Sequence, residues 1–381
     1  MKSKLGLYIH IPFCQQKCNY CDFNSFKSSA SERSIYIDAL IKEIFMQGPS
    51  YKDYLVDSIF IGGGTPSILD EREIIRISKA LEDNFSIASD LEFTIELNPN
   101  SVNLEKFKAY KEAGINRLSF GGQSFNDKEL KDLGRIHQAS DIFTAIKLAK
   151  SIGFKNISLD LMLGIPGQSL ESLKDSLKKA MSLDLKHLSV YSLILEAGTN
   201  LYDMATRTNK LNLPDETLER DMYHFTKNFL KDFGFYQYEI SNFSKEGFES
   251  RHNLKYWSFE DYLGLGLSSS SKIGNKRFAN VDGFSSYIKA LENNLLPVKE
   301  KEVLTRQDQI NEYIFMGLRK TVGFSYKKLE EIFSLDFLSV YENEIEKNLN
   351  LGLIDVDDNY LRLTEKGLDL ANQVEIDFYR L

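Results

Sequence analysis

The 381 residues carry a formal net charge of −8, with 42% apolar and 12% aromatic side chains. That acidity argues against a general affinity for nucleic-acid phosphates or anionic lipid, and the apolar content suffices for a sizeable core. No apolar run reaches bilayer-spanning length, and Met1-Lys2-Ser3-Lys4 leads straight into a strand-like segment instead of a signal peptide.

The first two hundred residues alternate short apolar runs with amphipathic ones. Strands are expected at 7–13, 58–61, 91–97, 117–120, 157–163 and 187–195. Helices are expected between them at 32–47, 71–84, 104–113, 141–151 and 170–183. Six β-α units in succession imply a parallel sheet flanked by helices, either doubly wound or closed into an incomplete barrel. Residues 197–214 read as a polar loop, 216–233 as a helix, 236–243 as a strand and 284–292 as a helix. From about residue 300, helices at 307–320, 326–332 and 338–349 precede a hairpin at 355–363. That order resembles a winged helix. With 10 Lys and Arg against 17 Asp and Glu from residue 300 onward, this part would repel DNA, and a lid or protein-contact module fits better. The reading divides the chain at 1–200, 201–299 and 300–381.

Three cysteines, all there are, fall within Cys14-Gln15-Gln16-Lys17-Cys18-Asn19-Tyr20-Cys21. Three thiols cannot close into a disulfide framework, so the spacing points to a metal site in a reducing compartment. One candidate is a 4Fe–4S cluster with one iron left open; the other is a Cys₃His zinc site completed by His10 or a distant histidine. Gly62-Gly63-Gly64-Thr65 follows the second strand and suits either a tight turn or close approach of a ligand. Asp160 interrupts an apolar strand, which requires a partner: an internal ion pair or a ligand.

The C-x₃-C-x₂-C run, preceded by Tyr8-Ile9-His10-Ile11-Pro12-Phe13, resembles the cluster motif of the radical S-adenosylmethionine (SAM) superfamily. More narrowly, it resembles the branch of oxygen-independent coproporphyrinogen III oxidases and related heme chaperones. The resemblance implies an α/β fold: an incomplete (β/α)6 barrel with added α+β elements and a small winged-helix-like C-terminal domain. It assigns Cys14, Cys18 and Cys21 to a 4Fe–4S cluster whose fourth iron takes the amino and carboxylate groups of SAM. Electron transfer to the sulfonium then releases a 5′-deoxyadenosyl radical. It assigns Gly63, Gly64 and Thr65 to the amino end of SAM, and Glu96, Gln123, Arg135 and Asp160 to its polar parts. Arg135 would pair with the methionine carboxylate, Tyr20 would lie against the adenine, and Tyr8 and His10 would face the cluster.

Two local features divide the branch. Phe23 stands where the oxidases have a fourth cysteine, and His252-Asn253-Leu254-Lys255-Tyr256-Trp257 matches the H-N-x-x-Y-W pattern of the chaperones. Taken alone, His252 and Trp257 read as packing residues; with the resemblance, His252 is expected to contact heme. The expectation is a cytoplasmic heme chaperone without oxidase activity, binding heme, SAM and the cluster. Its partner would be a heme-acceptor protein, contacted peripherally if membrane-bound, and the family suggests a homodimer. The alternative is SAM-dependent decarboxylation of coproporphyrinogen III to protoporphyrinogen IX.

Overall fold

The structure, a computed structural model, describes residues 2–208 and 211–380. Its first half runs β1 (Ser3–Ile11), α1 (Ala30–Gln47), β2 (Tyr54–Gly63), α2 (Glu71–Asn84), β3 (Ile87–Leu97), α3 (Leu104–Glu112) and β4 (Arg117–Gln123). It continues through α4 (Asp127–Asp132), α5 (Ala139–Ser151), β5 (Asn156–Leu163), α6 (Leu170–Met181) and β6 (His187–Ser192). Each of these strands pairs in parallel with the next. The sheet does not close on itself, so the architecture is an incomplete barrel of β/α units.

Period-2 alternation sorts the strand residues. Leu5, Leu7, Ile9 and Ile11 of β1, Ile59 and Ile61 of β2, and Leu159, Leu161 and Leu163 of β5 all enter the main apolar core. The intervening residues (Tyr8, Phe60, Glu96, Ser119, Asp160, Ser189) turn inward and line a cavity. Local signals fix where helices begin: Ser29 and Glu32 form a reciprocal cap on α1, and Asp70 and Glu73 do the same on α2.

The second part runs α7 (Asn200–Thr208), α8 (Glu216–Asp232), β7 (Tyr236–Glu239), β8 (Asn242–Ser244), α9 (Arg251–Trp257), β9 (Tyr262–Leu265), β10 (Ser270–Ile273), β11 (Lys276–Asn280), α10 (Phe284–Glu292) and β12 (Val298–Val303). It extends both edges of the barrel: β9 adds in parallel to β1, and β8 adds antiparallel to β6. The resulting order is β12-β11-β10-β9-β1-β2-β3-β4-β5-β6-β8-β7.

Three expectations are corrected here. The segment 197–214 is not a loop throughout, because it contains α7; residues 209 and 210 lie outside the described residues. Leu201 is buried against Leu133, Met162 and Ile165, and the Thr199 hydroxyl accepts from the Tyr202 amide at the start of the helix. The expected strand at 236–243 is a hairpin, β7 and β8, turning at Ile240-Ser241. The expected helix at 338–349 is divided at Tyr341.

The C-terminal part consists of α11 (Arg306–Leu318), β13 (Phe324–Ser325), α12 (Tyr326–Phe333), α13 (Phe337–Val340), α14 (Glu342–Asn350), β14 (Ile354–Val356), β15 (Tyr360–Leu363), α15 (Glu365–Asp369) and α16 (Ala371–Asp377). Its antiparallel sheet, β13-β15-β14, and its helices share a separate apolar cluster centred on Phe324, Phe337 and Phe378. The hairpin turns as expected: the Asp357 carboxylate accepts from the amides of Asn359 and Tyr360 at 3.0 and 2.8 Å. Among the described residues, no helix is long and apolar enough to cross a membrane.

Candidate functional site

The cysteine loop leaves the end of β1 and is pinched at its neck. The Cys14 amide donates to Phe26 O at 3.0 Å, the Phe26 amide donates to Pro12 O at 2.9 Å, and the two phenyl rings of Phe13 and Phe26 meet edge to face. On one side the loop rests on the glycine run that ends β2. The Gly64 amide donates to Ile11 O at 2.8 Å, the Thr65 amide to Phe13 O at 2.7 Å, and the Thr65 hydroxyl to Cys14 Sγ at 3.6 Å. A Cβ on Gly64 would lie 2.7 Å from Phe13 O and 3.0 Å from Cys14 Sγ, so this contact requires glycine.

On the other side the loop is tied to the turn after α4. The Asn19 amide donates to Leu133 O at 2.9 Å and its side chain to Asp132 O at 3.0 Å. That turn carries Arg135, whose guanidinium donates to Gly121 O at 2.5 Å and to Cys18 Sγ at 3.6 Å. The α7 helix also touches the loop, since the Leu201 amide donates to Asn19 O at 2.9 Å.

These contacts gather most of the expected residues around one cavity. Cys14, Cys18, Tyr20, Cys21, Gly63, Gly64, Thr65, Glu96, Gln123, Arg135 and Asp160 all line a space of about 720 Å³ that opens to solvent. Gln123 reaches it through a bulge: the register with β5 shifts after Gly121, and Gln123 adopts φ 66°. Tyr20 also packs on the small apolar cluster of Leu133, Met162, Ile165 and Leu201. His10 is not free to act as a metal ligand as it stands. Its ring nitrogens face the Tyr8 hydroxyl at 2.9 Å and Asn24 O at 3.2 Å. Among the described residues, no three of His, Cys, Asp and Glu crowd closely enough to hold a single ion.

Two carboxyl groups at the cavity wall are perturbed. Burial, reinforced by the Asp160 charge, pushes Glu96 up to about 8, although its Oε2 accepts from the Gly63 amide at 3.1 Å. Burial pushes Asp160 up to about 6, while Ser189, Arg117 and Arg135 hold it down. Folding favours protonated Glu96, so its stabilising contribution is complete below about pH 4.5 and is lost as the pH rises through about 8. We expect Glu96→Gln, neutral throughout, to gain thermal stability relative to wild type progressively across that window in the cluster-free protein. Parallel melting curves for the two proteins from pH 5 to pH 8 would show that Glu96 is not held protonated.

Beside this cavity lies a second one of about 670 Å³, sharing the walls Phe23, Gly63, Glu96, Ser119 and Asp160. Its far side is formed by α9. The Glu92 carboxylate of β3 accepts from the first two amides of that helix, those of Arg251 and His252, at 3.0 Å each. Lys255 is buried in an ion pair with Asp57 at 2.7 Å, which fixes the helix against β2. His252 is 1% exposed and lies over the Phe60 ring. Its Nδ1 faces Ser58 Oγ at 3.0 Å and its Nε2 faces the Tyr256 hydroxyl at 2.9 Å. Burial, with the charges of Lys255 and Arg117, lowers His252 to about 3, so the imidazole is neutral. Tyr8 lines this second cavity, and Trp257 faces away toward the C-terminal helix α11, where Arg319 lies over its ring. Phe23 is 59% exposed and borders both cavities.

The sequence reading missed Arg117, Ser119, Ser189 and Tyr191, which join Asp160 on the inward face. The alternation His187-Leu188-Ser189-Val190-Tyr191 carried that signal, because a strand buried on both faces has no other reason to place polar residues at every second position.

A model of the radical SAM superfamily matches residues 8–180, and one of the HemN C-terminal domain matches residues 304–370. Heme chaperone HemW of Bacillus subtilis is 40% identical over 368 residues, covering 96% of this chain and 97% of that one. Heme chaperone HemW of Lactococcus lactis is 36% identical over 370 residues, covering 96% and 95%. Among solved structures, the coproporphyrinogen III oxidase HemN of Escherichia coli, a radical SAM enzyme, superposes with a TM-score of 0.87 at 26% identity, over 99% of this chain and 90% of its own. The chain belongs to the HemW family of radical SAM proteins.

Proposed function

We propose that this protein is a heme chaperone: it binds heme beside a SAM and iron–sulfur site and passes it to an acceptor protein. The observation that carries the reading is the junction of two cavities. One is lined by the three cysteines, and the next is walled by the His252-to-Tyr256 face of α9, with Phe23 between them. The names of the full-length relatives support the same reading.

Cys14, Cys18 and Cys21 hold the cluster in this proposal. The donor set, three thiols within eight residues and no fourth cysteine in the chain, suits a cluster with one iron left open, whereas His10, which a Cys₃His zinc site would draw on, is engaged by Tyr8 and Asn24. When bound, the cluster can supply an electron to the sulfonium of SAM. The chain's own part is to bind and orient. Arg135 offers a fork to the methionine carboxylate, while protonated Glu96 and the backbone of Gly63, Gly64 and Thr65 present polar atoms to the amino end. Gln123 and Asp160 take other polar parts of SAM, and Tyr20 offers its ring to the adenine. A homodimer and a membrane-bound acceptor stay within the proposal as family expectations.

Oxidase activity is the second reading, favoured by the close superposition on HemN. Against it stands Phe23, an apolar ring where the oxidases carry a further thiol.

His252 enters the proposal as a wall of the heme cavity, holding Tyr256 and Phe60 in place. Replacing it with alanine is expected to weaken heme binding about tenfold, the scale of a lost buried hydrogen bond with its packing. A heme titration followed by absorption checks this. Unchanged affinity with an unchanged heme spectrum would remove His252 from the site.

A further inference from the structure

Arg117, the first residue of β4, is 1% exposed. Its Nε has no partner, and its guanidinium forms no hydrogen bond or ion pair among the described residues. The small surface it retains faces the second cavity, which it lines. The groups around it do not neutralise it at contact. Asp160 and Glu96 feel its charge without reaching ion-pair distance, and His187 and His252 are neutral neighbours held so by burial. A buried cation without a partner is unfavourable, and a guanidinium is shaped to take a carboxylate in a two-pronged contact.

The rest of this cavity combines rings with polar groups: Glu96 and Asp160, whose carboxyl groups are pushed up by burial, and Ser119 and Ser189 stand on the barrel side. Tyr8, Phe60, Tyr191 and Tyr256 surround the space between Arg117 and Phe23. Several flat rings and one cation, with the neighbouring carboxyl groups raised toward their neutral form, fit a planar apolar ligand that carries a short acidic arm.

We propose that Arg117 anchors a propionate of the porphyrin in the second cavity. This inference rests on the heme reading above and adds the group that sets the orientation of the cargo. It also separates two acidic ligands: Arg135 serves the carboxylate of SAM, and Arg117 serves that of the porphyrin.

The test compares heme with heme dimethyl ester, in which both carboxylates are masked, on the full-length protein carrying its cluster. Wild type is expected to bind heme about tenfold or more tightly than the ester, the scale of a charge-assisted hydrogen bond. Arg117→Met is expected to bind both at the level of the ester, with SAM still bound through Arg135. Arg117→Lys, which keeps the charge without the fork, should retain part of the preference, and it decides the matter if the methionine variant fails to fold. Equal binding of heme and ester by wild type, or a preference that survives in Arg117→Met, overturns the assignment. So does a loss of SAM binding with heme binding intact. If wild type binds neither heme nor the ester, the heme reading itself falls, and this inference with it.

Discussion

Cys18→Ser is expected to reduce iron and acid-labile sulfide to background after anaerobic reconstitution, while the fold persists. The two halves of that expectation have separate grounds. The loop's position does not depend on the Cys18 thiol: its neck is held by backbone hydrogen bonds at Cys14 and Phe26, and its middle by the Asn19 amide on Leu133 O. The thiol is only partly buried, and its one hydrogen bond comes from Arg135 at 3.6 Å, a contact a hydroxyl can also accept. The variant without cluster should therefore melt where the wild-type protein without cluster melts. Iron, in contrast, binds the thiolate, and a chain with no other cysteines has no replacement ligand. SAM binding should be lost with the iron. A full complement of iron in Cys18→Ser would contradict the assignment of this thiol.

Gly63→Ala should be the most damaging single methyl group that can be added near the site. Gly63 has φ 113°, a conformation that L-residues rarely adopt. A Cβ there would lie 2.5 Å from His10 Cε1 and 2.6 Å from His10 Nδ1. The imidazole cannot swing aside without losing its contacts with the Tyr8 hydroxyl and Asn24 O. Backbone strain alone costs on the order of 1–3 kcal/mol. Overpacking adds a further penalty of about 1–3 kcal/mol. The same change would displace the Gly63 amide from Glu96 and spoil the edge offered to SAM. We expect a clearly lowered melting temperature and, as the strain is relieved by moving the glycine run out of its binding position, SAM affinity reduced about thirtyfold or more, the lower scale of those two penalties together. Gly153→Ala is the control: φ there is 89°, but no heavy atom lies within 4 Å of the added methyl, so it incurs strain without a clash and leaves SAM binding intact. Wild-type SAM affinity in Gly63→Ala would show that the glycine run does not meet the ligand.

Both predictions concern residues that the sequence made visible, and the reason is local. Clustered cysteines and a triple glycine after an apolar run declare themselves without knowledge of the fold. Asp160 was visible as a carboxylate in an apolar strand. Arg117 was not, because it opens its strand next to the loop residue Asn116 and there reads as an ordinary surface cation. Only closing the sheet into a partial barrel turns it inward. The six parallel strands were legible from their apolar runs, but β9 to β12 were not. They are short, β10 pairs with β9 through a single residue pair, Lys272 with Tyr262, and β9 joins the barrel through β1, at the far start of the chain. The α7 helix was hidden by its polar composition; what holds it is the burial of Leu201 and a bond to the cysteine loop, neither of which leaves a periodic signature. The motif from His252 to Trp257 was legible as a motif but not as geometry. Its histidine and tyrosine face the barrel, while its tryptophan turns to the C-terminal part, so one short helix serves two surroundings.

The central claim is that this radical SAM fold carries heme and does not decarboxylate a porphyrinogen. Its most direct test is an anaerobic incubation of the reconstituted protein with SAM, reductant and coproporphyrinogen III, run beside a heme titration of the same preparation. Stoichiometric heme binding with no protoporphyrinogen IX formed is the predicted result. Turnover of coproporphyrinogen III would contradict it, and would show that Phe23 beside the three cysteines is no obstacle to the oxidase reaction.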